Sequence, residues 1–188
     1  MRQIFFCIVF LTMKATPTLA EIVGMQAPRI ATEAEITSSL DEIRLIDEND
    51  VALDLNRARH NGKRTLVTLW AHWCVNCRAE IIGFKAIAKT CPDKWNIIFV
   101  SARASDYAKD AAKFKSFSLP WKLYHVDETT YRDPGKIRIM QAFYGATKDQ
   151  SVLTPLHYLL SPKGQVQAIV NAKMSFEQPD KLAAFCAE

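Results

Sequence analysis

The chain contains no second C-x-x-C and no closely spaced histidine pair, and its four histidines (His60, His72, His125, His157) are scattered. A four-ligand structural zinc site is therefore not written in it. It also lacks a basic stripe with interleaved aromatics, and the net charge of +4 is spread along the chain, which argues against a nucleic-acid partner. Internal repeats and low-complexity segments are missing as well. The apolar run Ile4 to Met13 is ten residues long, against the roughly 20 needed to span a bilayer.

That short run has another reading. Arg2 precedes it, and Thr18-Leu19-Ala20 offers small residues at cleavage positions, the layout of a secretory signal. Lys14, directly after the run, is slightly unusual, and an uncleaved anchor is the alternative. Residues 1–20 are thus read as a signal peptide, 21–41 as an N-terminal extension and 42–188 as the domain. Export predicts a periplasmic, oxidising compartment. Removal of the signal takes away Arg2, Lys14 and Cys7, lowering the charge to +2 and leaving Cys74, Cys77, Cys91 and Cys186. A second bridge, Cys91–Cys186, is one possibility, because exported thiols tend to be paired. The plainer reading is two small apolar residues on buried helix faces.

The centre of the chain is Leu66 to Glu80, LVTLWAHWCVNCRAE. Leu66 to Trp70 is continuously apolar enough for a central strand buried on both faces. A turn follows, and Cys74 and Cys77 open a helix. A thiol in the first helical turn sits beside unpaired N–H groups and the positive end of the dipole, which favours its thiolate. A partner one turn on can close a disulfide reversibly. The context predicts a redox pair; half of a metal site is the rival.

Around that centre, alternating apolar residues flank a polar turn between Glu42 and Leu55 and predict a β-hairpin. The helix continues through Ile81, Phe84 and Ile87 until Pro92 stops it. Trp95 to Val100 reads as a strand, and Ser105 or Asp106 caps a helix to about Ser116 with Ala108, Ala111, Ala112 and Phe114 inward. Lys122 to Val126 is a short strand. Asp133-Pro134 opens a helix through Ile137, Met140 and Phe143. Leu156 to Leu160 and Gln165 to Val170 flank a turn, and Ser175 to Ala187 closes the chain as a helix with Leu182 and Phe185 inward. The order predicts an α/β fold with parallel crossovers and a terminal antiparallel hairpin.

WAHWCVNCRAE, the region Asp127 to Gly145 and TPLHYLLSPKG together resemble the TlpA/ResA/DsbE branch of periplasmic thiol–disulfide oxidoreductases, over roughly Ile43 to the C-terminus. The resemblance implies a thioredoxin-like fold: a central mixed β-sheet flanked by helices, with an N-terminal β-hairpin extension and a central insertion between Ser101 and Tyr144. It implies a thiol:disulfide oxidoreductase with no cofactor, acting on protein thiols or disulfides as a monomer. Reduction is the direction it suggests, as in cytochrome c maturation, with electrons from a membrane thiol-transporting reductase of the DsbD/CcdA type. A net oxidant, or a copper- or zinc-binding module using His72 or His157, is the alternative.

By the same resemblance Thr154-Pro155 stands where the family carries a cis-proline; Thr154 would pair with the substrate backbone and Pro155 would keep other ligands away. The chain departs from the family at Val75-Asn76, where a proline is common between the cysteines, and at Ile82. Thr68 aligns with the buried acid of thioredoxin, so no proton acceptor for Cys77 is evident.

The residue roles follow. Cys74 attacks and Cys77 resolves. Trp73 either shields the pair and contacts substrate or is a rim aromatic. His72 is read as a solvated turn residue, with a charge acting on Cys74 as the alternative. His157 falls on the same strand face as Pro155. Glu80 either covers the site or makes helix surface. Asp127 and Glu128 are read as a solvated loop.

Overall fold

The computed structural model describes residues 43–53, 62–132, 135, 143 and 154–187. The expected signal and N-terminal extension, and the body of the helix expected after Asp133-Pro134, lie outside the described residues.

Seven strands form one mixed sheet in the order β2-β1-β5-β4-β3-β6-β7. The expected hairpin is β1 (Leu45–Ile46) with β2 (Ala52–Leu53), antiparallel. Its turn is held by Asp47, whose Oδ1 accepts from the N–H groups of Asn49 and Val51 at 2.9 and 3.1 Å. At the centre, β3 (Arg64–Trp70) runs parallel to β4 (Trp95–Ser101) and antiparallel to β6 (Leu156–Leu160). The strand β5 (Leu123–Val126) pairs parallel with β4, and β7 (Val166–Val170) closes the terminal hairpin on β6.

Because side chains alternate along a strand, β3 feeds two cores. Leu66 and Trp70 join Phe84, Phe99, Phe114, Met174, Phe176 and Phe185 on one face, while Val67 and Leu69 join Ile98, Val100, Val126, Phe143 and Leu160 on the other. Full burial of each such side chain contributes roughly 1.5–3 kcal/mol.

Helix α1 (Val75–Thr90) starts at Cys74 as N-cap and ends at Cys91, just before Pro92. Its buried face is Cys77, Glu80, Ile81, Gly83, Phe84 and Ile87. Helix α2 (Tyr107–Lys115) follows a single 3₁₀ turn, Ala104–Asp106. The inward residues differ from expectation: Asp110 and Phe114 are buried, whereas Ala108 and Ala112 are exposed. The true row is Tyr107, Asp110, Ala111, Phe114, which matches helical spacing once a polar residue is admitted to it. Neither Ser105 nor Asp106 makes a side-chain cap.

A short α3 (Glu128–Arg132) was not expected from the sequence. Asp127, read as solvated loop, caps it by accepting from Thr129 N–H at 3.0 Å and pairs with Arg44 at 3.3 Å. The closing helix α4 (Pro179–Ala187) is shorter than expected, because Pro179 occupies its first position. Cys91 at the end of α1 is bonded to Cys186 in α4. The plainer reading of two separate thiols is overturned: the helices pack side by side and bring the Cα atoms within 5.7 Å.

Candidate active site

The tight turn from β3 into α1 places Cys74 and Cys77 at the carboxyl end of an interior strand of the sheet. Cys74 has extended backbone (φ −76°, ψ 109°), as an N-cap requires, and its sulfur accepts from the Cys77 N–H at 3.1 Å. The two are joined as a disulfide with Cα atoms 5.3 Å apart. Cys74 retains 6% of its surface and Cys77 none, so an incoming sulfur meets Cys74 first. The Thr154–Pro155 peptide is cis, and Pro155 leads directly into β6, which lies beside β3.

The 3₁₀ turn and α2 clamp the turn in front of the cysteines. The Trp73 ring is 38% exposed, its Nε1–H donates to Asp106 Oδ2 at 3.0 Å, and the Arg103 guanidinium lies 5.0 Å from its centroid. His72 is not a free turn residue. Asp110, itself fully buried, accepts from the His72 backbone N–H at 2.7 Å and meets its Nδ1 at 2.6 Å, while Ser101 Oγ donates to the other oxygen at 2.6 Å. The ring orientation is set by a residue 38 positions away, which no local pattern announces.

Glu80 is neither a cover over the site nor helix surface; it is fully buried. One turn beyond Cys77, it lies on the same inward face of α1. Its Oε1 accepts from the backbone N–H of Met174 and meets His157 Nε2 at 3.0 Å, while its Oε2 is buried without a hydrogen-bond partner. His157, also fully buried, contacts Thr68 Oγ1 through Nδ1 at 3.2 Å. Residues 68 and 157 are direct partners across β3 and β6. A buried acid is thus present one helical turn beyond Cys77, even though Thr68 stands where an acid was sought. The sequence singled out Glu80, His157 and Thr68 but neither Met174 nor their union, since helix, strand and loop meet only in the packed fold.

Asp127 and Glu128 sit at the β1–β5 side of the sheet and are not drawn into this cluster: Asp127 pairs with Arg44 and Glu128 with Arg132. Among the described residues no three histidine, cysteine or acidic side chains converge as a metal-binding group. No described helix is long and apolar enough to cross a membrane.

Neither a protein-family model nor a curated protein sequence matches the chain. Solved structures do. A secreted Mycobacterium tuberculosis disulfide oxidoreductase, described as homologous to E. coli DsbE, is similar at 17% identity and TM-score 0.53, covering 81% of this chain and 99% of that one. The thioredoxin domain of a Bacteroides vulgatus thiol-disulfide oxidoreductase is similar at 21% identity and TM-score 0.51, over 76% and 89% of the two chains. A DsbF homologue from Corynebacterium diphtheriae gives 15% and 0.51, over 88% and 95%. The resemblance read from the cysteine motif and these structures agree, and the fold of the chain is thioredoxin-like.

Proposed function

We propose that this protein is a thiol–disulfide oxidoreductase that exchanges disulfides with protein substrates through Cys74 and Cys77. The observation that carries the reading is the position of Cys74, at the N-cap of α1 and bonded to Cys77. In the reduced protein the Cys77 N–H and the helix dipole stabilise a Cys74 thiolate. That thiolate attacks a substrate disulfide, forming a mixed disulfide and expelling one substrate thiolate. Cys77 then attacks Cys74 Sγ, closing the Cys74–Cys77 bond and releasing the second substrate thiol. The exposed Trp73 and the Thr154–Pro155 peptide form the docking surface for the substrate chain.

The direction we favour is reduction in the periplasm, following residues 1–20 as an export signal, with the monomer recharged by a membrane thiol-transporting reductase. The likeness to the mycobacterial DsbE homologue supports the oxidoreductase class rather than the direction. The test is the reduction potential of Cys74–Cys77, equilibrated in thiol buffers and read by alkylation. A value near thioredoxin's, about −270 mV, is expected; one near that of DsbA, about −120 mV, overturns the reductive direction. Cys74→Ser is expected to abolish insulin reduction, and retention of that activity overturns the exchange reading itself.

A further inference from the structure

Resolution of the mixed disulfide requires Cys77, which is fully buried, to lose a proton. The hydrogen bonds around Glu80 show which of its atoms is open to receive it. Oε1 is taken by Met174 N–H and by His157 Nε2 at 3.0 Å, whereas Oε2 is buried and unpartnered. In the ionised Glu80 that must take up this proton, Oε1 can only accept from its two neighbours, and Oε2 is the oxygen left open. This assigns the hydrogen to His157 Nε2. In the neutral ring Nδ1 is then an acceptor, and Thr68 Oγ1, at 3.2 Å, donates to it.

We propose that His157 is a positioning residue of the redox centre: pinned by the Thr68 hydroxyl as the Nε2–H tautomer, it holds Glu80 by Oε1 so that Oε2 remains the open acceptor for the Cys77 proton. The proposal rests on the exchange chemistry above. In the resolving step the proton passes from Cys77 Sγ to Glu80 Oε2, the sulfur attacks Cys74 Sγ, the Cys74–Cys77 bond forms, and the bond from Cys74 to substrate breaks. The electron pair leaves with the substrate thiolate, and no outside oxidant enters.

The surroundings leave few competitors for this role. Besides Glu80, α1 contributes Cys77 to the site, β6 contributes His157, and β3 contributes the uncharged Thr68. The segment after β7 contributes the Met174 backbone, and its charged neighbours Lys173 and Glu177 are paired with each other. The other described buried acids are engaged elsewhere, Asp47 by Lys122 and Asp110 by His72.

The experiment starts from protein reduced at Cys74–Cys77, with Cys91–Cys186 left oxidised, mixed with excess Ellman's reagent in a stopped-flow instrument. The first thionitrobenzoate released reports attack by Cys74, and the second, in a concentration-independent phase, reports resolution by Cys77. His157→Leu is expected to slow the second phase at least about tenfold at pH 7 while leaving the first within about twofold. His157→Gln supplies an amide N–H to Oε1 and an amide oxygen to Thr68, and is expected to restore the rate to within about threefold of wild type. Raising the pH past the ordinary thiol range, about 8.5, is expected to close the gap, because Cys77 then ionises without an acceptor. A His157→Leu rate within twofold of wild type, a His157→Gln rate as slow as His157→Leu, or a deficit unchanged by pH each overturns the proposal. Should His157→Leu fail to fold, Thr68→Val decides: a several-fold slowing that disappears at high pH supports the relay, and an unchanged rate overturns it. If the wild type itself shows no second phase, or Cys77→Ser retains it, the exchange mechanism has failed rather than the role of His157.

Discussion

Tyr107 lies where α2 meets β5, its hydroxyl donating to the Leu123 carbonyl at 3.2 Å. Burial first, then the charges of Glu48 and Asp47, pushes its pKa from 10.0 up to about 12. The folded protein thus keeps a proton that the unfolded chain surrenders earlier. The stabilisation is complete below pH 10 and is lost as pH rises through about 12. Urea unfolding of the wild type is expected to weaken over that window, and Tyr107→Phe is expected to flatten the loss; parallel curves would refute the assignment. Asp110 gives a second residue-scale expectation. Asp110→Ala strands the His72 N–H, while the Ser101 hydroxyl keeps the Arg103 carbonyl at 2.9 Å, and is expected to cost roughly 1–3 kcal/mol, read as a lower urea midpoint. His72 and Glu80 were both legible as residues near the cysteines, yet their settings were not. Their partners, Asp110 and His157, lie 38 and 77 positions away, beyond the reach of periodicity or capping rules.

Among the elements, β3 and α1 were the most legible, because continuous burial and a proline stop leave few alternatives. Helix α2 was harder: its inward row contains Asp110, and a pattern read from apolar residues alone slides toward Ala108 and Ala112. The onset of α4 was misjudged for a related reason. Met174 and Phe176 are fully buried, so the apolar signal begins before Pro179, although the backbone there is irregular. That irregular segment lies hard against α1. A Cβ at Gly83 would come within 2.7 Å of Phe176 Cβ and 3.2 Å of backbone. Gly83→Ala is therefore expected to destabilise by about 1–3 kcal/mol despite alanine's better helix propensity. Because the same segment supplies the Met174 N–H to Glu80, the substitution is also expected to slow thionitrobenzoate release in the second phase. A variant as stable and as fast as wild type would show that the segment yields without cost.

At the scale of the whole molecule, two disulfides sit near opposite ends of α1. Cys74–Cys77 spans three positions and Cys91–Cys186 spans 95. In the chain-entropy view the longer loop restrains the unfolded state far more, and loss of such a bridge costs about 2–5 kcal/mol. The double variant Cys91→Ser, Cys186→Ser is expected to lose stability of that order in guanidinium unfolding while still reducing insulin. Unchanged stability would mean that the packing of Trp95 on Phe185, with centroids 4.2 Å apart, suffices to hold α4.

The separation of 95 residues between Cys91 and Cys186 also bears on how the chain is made. A ribosome adds about 5–20 residues per second, so Cys91 exists for on the order of ten seconds before its partner is synthesised. Throughout that interval its available neighbours are Cys74 and Cys77. An oxidant acting early can close the native Cys74–Cys77 pair, three positions apart, or join one of these sulfurs to Cys91, and only attack by another thiolate undoes the second kind of bond. Early closure of Cys74–Cys77 therefore leaves Cys91 to wait for Cys186, whereas capture of Cys91 by either upstream sulfur calls for a round of disulfide rearrangement on the newborn chain itself.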